Sequence, residues 1–136
     1  MSINYEVTIE SFAYRHFIKT FAKKYKKAWD FTFSALVREF QSFDVILEKT
    51  IAEEITDKNA DVVICKTEFK ISGTQESRHG SGNRCIVAQH KKTNKICVLL
   101  VYHKSDLSSG NETVNWKRVI KANYPEYSSM LSVRVY

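Results

Sequence analysis

The chain of 136 residues has little of what breaks, staples or anchors a small protein. It contains one proline and four glycines, which excludes collagen-like and low-complexity architectures. Its three cysteines, Cys65, Cys85 and Cys97, are odd in number and form no CxxC pair. Each stands in an apolar run, where cysteine behaves as a small core residue, so neither a disulfide framework nor a cysteine zinc site is expected. The four histidines, His16, His79, His90 and His103, show no metal-ligand spacing; no metal and no cofactor is expected. No apolar stretch approaches the ~18 residues that span a bilayer. The opening MSINYEVTIESF lacks the basic-then-apolar layout of a secretory signal. These absences lead to the expectation of a soluble, reduced, cytoplasmic protein with no membrane partner.

The chain is rich in core-forming material. It is 43% hydrophobic, 12% aromatic and 26% charged, which excludes disorder. The length predicts a single domain spanning residues 1–136. A chain of this size buries roughly two thirds of the surface it exposes when unfolded. Lys and Arg number 21 against 15 Asp and Glu, a formal charge of +6, compatible with a nucleic-acid partner.

Hydrophobic period divides the chain. Residues 4–10 alternate Tyr5, Val7 and Ile9 with polar neighbours, a half-buried strand. Ser11 stands as a helix N-cap, and Phe17, Phe21 and Tyr25 then repeat every four residues. Asp30 caps a second helix, in which Leu36, Phe40, Phe43, Leu47 and Ile51 form an amphipathic stripe that ends at 56–59. The two helices make a hairpin. Three strands follow, over 62–71, 84–90 and 96–104, joined by a glycine-bearing polar loop and by a turn at 91–95. Seven consecutive apolar residues in the last strand predict burial on both faces. A final helix over about 111–122 stops at Asn123-Tyr124-Pro125, and SVRVY at the end is either a short edge strand or frayed. The expected fold class is α+β: a small, mostly antiparallel sheet with an N-terminal strand, a two-helix hairpin packed on one face and a short C-terminal helix.

Positive charge is concentrated. Between Val62 and Lys104 lie eight basic residues, Lys66, Lys70, Arg78, Arg84, Lys91, Lys92, Lys95 and Lys104, against only Glu68 and Glu76. The rest of the chain is balanced. Lysines in the 91–95 turn also serve solubility and edge protection; Lys66, Lys70 and Arg84 point off strand interiors and read better as an anion site. The cluster KKYKK at 23–27 complements the end of a helix dipole, with phosphate contact as the lesser reading. Cations of this kind stabilise charge developing on a phosphoryl group, and a neighbouring His or Glu moves protons. Together they suffice for attack of an RNA 2′-OH on its own phosphate without a metal. Arg84 and His103 are the foremost candidates. Tyr102 is as readily core as catalytic, while His79 and His90 read as solvated.

This layout resembles the RelE/ParE superfamily of toxins from toxin–antitoxin systems. The matching elements are NYEVTIESF leading into the helical hairpin, then EFKI, GNRCIVAQH and ICVLLVYHKSDL, over roughly residues 4–107. Its lysine-bearing strand, Gly-x-Arg strand and strand-end basic motif fall on Glu68-Phe69-Lys70, Gly82-Asn83-Arg84 and Tyr102-His103-Lys104. The resemblance implies a RelE-like domain acting as a ribosome-dependent mRNA endonuclease, an mRNA interferase that inhibits translation. Its partners are then mRNA, the ribosome and a cognate antitoxin, with homo- or hetero-oligomers both open. Lys70 and Arg84 would hold phosphate, and His103 or Lys104 would fall at the strand-end catalytic position. Glu68 as base with His103 as acid is coherent, and the reverse is left open. Lys66, Lys104, Arg78, Lys91, Lys92 and Lys95 would contact RNA.

The chain departs from that pattern in the longer loop between Lys70 and Arg84 and in having Leu107-Ser108-Ser109 where a tyrosine often stands. Tyr124 or Tyr127 folding back is one substitute. Residues 108–136 form a C-terminal extension that could cross the site, cover a sheet edge or bind the partner. Two other readings use the same scaffold: a ParE-like gyrase inhibitor, and a binding module that docks on RNA or the ribosome without cutting it.

Overall fold

The computed structural model describes residues 3–107 and 110–131. Five strands form one sheet: β1 (Glu6–Ile9), β2 (Ala52–Glu54), β3 (Val62–Phe69), β4 (Asn83–His90) and β5 (Lys95–His103). Their spatial order is β1-β5-β4-β3-β2. β1 runs parallel to β5, and the other pairs are antiparallel. The expected α+β class, mostly antiparallel sheet, helical cover and short C-terminal helix are all present.

The first helical arm consists of α1 (Ser11–Ala13), a π-helical segment at Tyr14–Ile18, and α2 (Lys19–Tyr25). Lys26 adopts φ 51° and turns the chain into α3 (Lys27–Gln41). Asp30 therefore sits within the first turn of α3 rather than at its cap, where a carboxylate still complements the helix dipole. The expected continuous stripe from Leu36 to Ile51 is interrupted. Ser42 leaves helical geometry, and α4 (Phe43–Glu48) follows. The stripe survives because Phe40 and Phe43 are both fully buried on either side of the break.

β2 occupies part of the segment read as helix. It is a three-residue edge strand on β3, pairing Ala52 with Thr67. Glu53 and Glu54 are exposed there, and charge on a short edge discourages further pairing. That composition gives no strand signal in the sequence.

β4 is buried from Asn83 through Gln89 and β5 from Ile96 through Tyr102, so both sheet faces need cover. On one face Ile18, Phe21, Trp29, Leu36, Phe40, Phe43 and Ile46 pack on Val63, Cys65, Phe69 and Val87. On the other, α5 (Glu112–Asn123) and α6 (Pro125–Ser128) bring Trp116, Ile120, Tyr124 and Tyr127 onto Ile64, Ile86, Leu99 and Leu100. Asn111 caps α5, its side chain accepting from the Val114 N–H at 3.1 Å. The C-terminal extension thus supplies the cover of one sheet face. The ending SVRVY lies outside the described residues.

The cysteines are free and buried. Burial pushes the Cys65 thiol up to about 12, and raises Cys85 as well. Among the described residues no helix is long and apolar enough to cross a membrane.

Trp116 is fully buried, so Trp116→Ala should cost about 3–5 kcal/mol in stability. Urea unfolding would measure this; a loss below ~1 kcal/mol would show that α5 is dispensable to the core.

Candidate functional site

Strand pairing decides which side chains can meet. Glu68 pairs with Arg84, and Arg84 with Tyr102, across three adjacent strands. These three share the sheet face covered by α5, and Lys66, two residues from Glu68 on β3, shares it too. Phe69, Asn83 and His103 form the next row and point to the opposite face. Arg84 and His103, paired as the foremost candidates from sequence, are therefore separated by the sheet.

On the α5 face three donors approach one oxygen. Tyr102 donates its hydroxyl to Glu112 Oε2 at 2.7 Å. Lys66 Nζ lies 3.3 Å from the same atom, and Arg84 Nε 3.6 Å from it. Arg84 is only 4% exposed. It also lies 3.6 Å from Glu68 Oε2 and donates to the His79 and Asn83 carbonyls. A buried guanidinium requires such partners. Its Nε nonetheless makes no hydrogen bond. Burial works to raise Glu112, but the Tyr102 hydroxyl, Lys66 and Arg84 outweigh it and leave the carboxyl below its usual range. Burial first, and then the bond and charge of Glu112, raise Tyr102, so its proton stays on the donor.

His79 is the residue that the sequence reading set aside. Its Nδ1 lies 2.9 Å and 3.1 Å from the two oxygens of Glu68, while its side chain is 85% exposed. With Nδ1–H donated to the carboxylate, the Nε2 lone pair faces outward. This is the arrangement in which a carboxylate orients an imidazole for proton transfer. Glu68 is thus engaged by His79 and Arg84 and has no access to His103. A histidine in a Gly/Ser-rich loop carries no periodic signal; its only clue was the long spacing between Lys70 and Arg84.

The remaining candidates scatter. Arg78 is bound to Glu39, at 2.6 Å between NH2 and Oε2, and also donates to the Glu68 carbonyl. That role holds the loop against α3. Lys70 is exposed just beyond β3, beside α3 and Arg78. Lys91, Lys92 and Lys95 are exposed at the other end of β4 and β5; at about 3.3 Å per residue they lie some 20 Å from Arg84. Lys104 is exposed after β5. Tyr124 donates to the Leu99 carbonyl, and Tyr127 meets His90 Nε2 at 2.9 Å, so neither folds back to the sheet end.

His103 lines a cavity on the helical face. Its Nδ1 accepts from the Ser105 N–H at 3.1 Å, and its ring lies over Gly82, at φ +77°. A Cβ at Gly82 would stand 2.7 Å from Nε2, so only glycine admits the ring in this position. Among the described residues no group of His, Cys, Asp or Glu is placed to hold a metal ion.

Compared with family models, curated proteins and solved structures, the chain matches none.

Because Glu112 is lowered on folding, the unfolded chain binds its proton more readily. The stabilisation is present in full above the ordinary carboxylate range, about 4.3, and is lost as pH falls through the lowered folded value. Glu112→Gln should therefore be less stable than the parent at pH 7, the gap closing in acid. Denaturation at several pH values would test this; a gap unchanged at low pH would exclude the charged contact as its source.

Proposed function

We propose that the chain is an RNA-cleaving toxin of a toxin–antitoxin module, cutting by attack of the 2′-OH on the adjacent phosphate. The observation that carries this reading is the convergence of Lys66, Arg84 and Tyr102 on a single oxyanion, Glu112 Oε2, next to the Glu68–His79 pair. A phosphoryl oxygen has the charge and bonding appetite of that carboxylate oxygen. His79 Nε2 takes the 2′-OH proton, and the 2′ oxygen attacks phosphorus. The bond to the 5′ oxygen breaks, and that oxygen leaves with a proton from solvent. Lys66, Arg84 and Tyr102 stabilise the charge that develops on the phosphorane. The products are a 2′,3′-cyclic phosphate and a 5′-hydroxyl.

The acid–base assignment differs from the one drawn from sequence. Glu68 orients His79 rather than acting on RNA directly, and His103 has no part on this face. In this reading Glu112 is a stand-in that must yield to the phosphate. Its partners are mRNA on the ribosome and a cognate antitoxin. One observation favours the second reading, a non-cutting inhibitor or binding module: Arg84 is buried, and its charge is already matched by two carboxylates.

Induced expression in a bacterial host, with mRNA 5′ ends mapped, separates the two. New cuts in translated frames should appear with the parent and fall at least about 100-fold with His79→Ala, the range for loss of a general base. His79 is exposed, so that variant should fold. Glu112→Ala should cut faster than the parent. Growth arrest with intact mRNA would overturn the nuclease reading and promote the inhibitor.

A further inference from the structure

The helical face of the sheet end carries a cavity of about 210 Å³ that the proposed cleavage does not use. Phe21 and Tyr25 stand on its helical side, and Asn83, His103 and Asp106 on its sheet side. The two helical rings stack, with centroids 6.1 Å apart and planes inclined at 24°. Asn83 is 4% exposed, and its Oδ1 makes no hydrogen bond. A buried polar atom without a partner is costly and calls for one. Ser105 takes up His103 Nδ1, with its N–H at 3.1 Å and its hydroxyl at 2.7 Å, which leaves Nε2 as the ring nitrogen open to a ligand. The cavity therefore combines aromatic rings with an amide and an imidazole, groups able to meet a heterocycle's edge.

Its lining carries both signs, Glu76 and Asp106 with Lys24, and the exposed lysines beside it are on the helical side. Lys24 lines the cavity, its Nζ 5.1 Å above the Tyr25 ring. Lys23, Lys26 and Lys27 are exposed around the positive-φ turn at Lys26. The KKYKK cluster thus sits beside a polar, aromatic cavity instead of merely ending a helix.

We propose that this cavity holds a nucleobase of a single-stranded RNA, with the 23–27 lysines on its phosphates. Unstacked bases are recognised in this way: an aromatic platform, side-chain bonds to the base edge and basic residues along the backbone. The site rests on the RNA reading above and extends it, since Asn83 and Arg84 are consecutive and face opposite sides of the sheet end. One strand of RNA passing around that end would place a base on one face and a phosphate on the other.

The test uses the full chain, AMP, and ribose 5-phosphate, which carries the same phosphate but no base. Binding is followed through the His103 imidazole resonances. AMP should bind saturably and shift them, and ribose 5-phosphate should bind at least about tenfold more weakly. Tyr25→Ala should weaken AMP by about tenfold and leave ribose 5-phosphate unchanged. Asn83→Leu should do the same, and Tyr25→Ala decides alone should that buried variant not fold. Equal affinity for the two ligands would reduce the site to an anion patch and overturn the proposal, as would failure of AMP to bind. Because the assay needs no cleavage, AMP binding without RNA cutting would sink the nuclease reading alone. Cutting without AMP binding would sink this one alone.

Discussion

Two central strands with no solvent-facing side set the terms for the whole molecule. β4 and β5 are buried residue after residue, and a sheet with two apolar faces is stable only between two layers. The helices from Ser11 to Glu48 cover one face, and the segment from Glu112 to Leu131 covers the other. The C-terminal extension is therefore required by the sheet, whatever else it does. Its arrival fixes where Glu112 lands. Trp116 and Ile120, one and two turns further along α5, are fully buried against the strands. That anchors the first turn of the helix over Lys66, Arg84 and Tyr102.

Charge follows from the same constraint. An arginine on the inner surface of a two-layered sheet cannot remain unpaired, and Glu68 and Glu112 answer it. The strong positive excess between Val62 and Lys104 thus misleads if it is taken as one patch. Lys66 and Arg84 are matched at the sheet end, Arg78 is spent on Glu39, and the lysines of the 91–95 turn lie at the far end of the strands. Exposed positive charge near the sheet end comes from Lys70 and Lys104 within that segment and from Lys23, Lys24, Lys26 and Lys27 outside it. Long-range attraction of a polyanion depends on exposed charge of this kind.

What was legible in the sequence was local. Strand and helix periods, the two-faced burial of the last strand and the α+β class all follow from residue patterns within ten or so positions. β2 was hidden because two of its three residues are glutamates on an edge. The break at Ser42 was hidden because the apolar stripe continues through it. The site was legible in residue type and only partly in place: Lys66, Glu68 and Arg84 do come together, as their strand positions suggested. His79 and Glu112 enter through a loop and a distant helix, and no spacing rule reaches across 11 and 28 residues to find them.

The face on which His103 lies turns on one residue. Val87 pairs with Val98, but Ile86 pairs with Leu100, so Leu99 is an extra residue in β5. A bulge of this kind shifts the alternation by one. Before it, Ile96 and Val98 face the helical arm; after it, Val101 does, while Leu99 and Leu100 both face α5. Without the extra residue, His103 would emerge beside Arg84, and Tyr102 would point into the helical-face cavity. With it, the tyrosine hydroxyl reaches Glu112 and the imidazole crosses to Asn83. A single-residue insertion thus divides the chemistry of the strand end between two faces, and a side-chain list read without register merges them into one site.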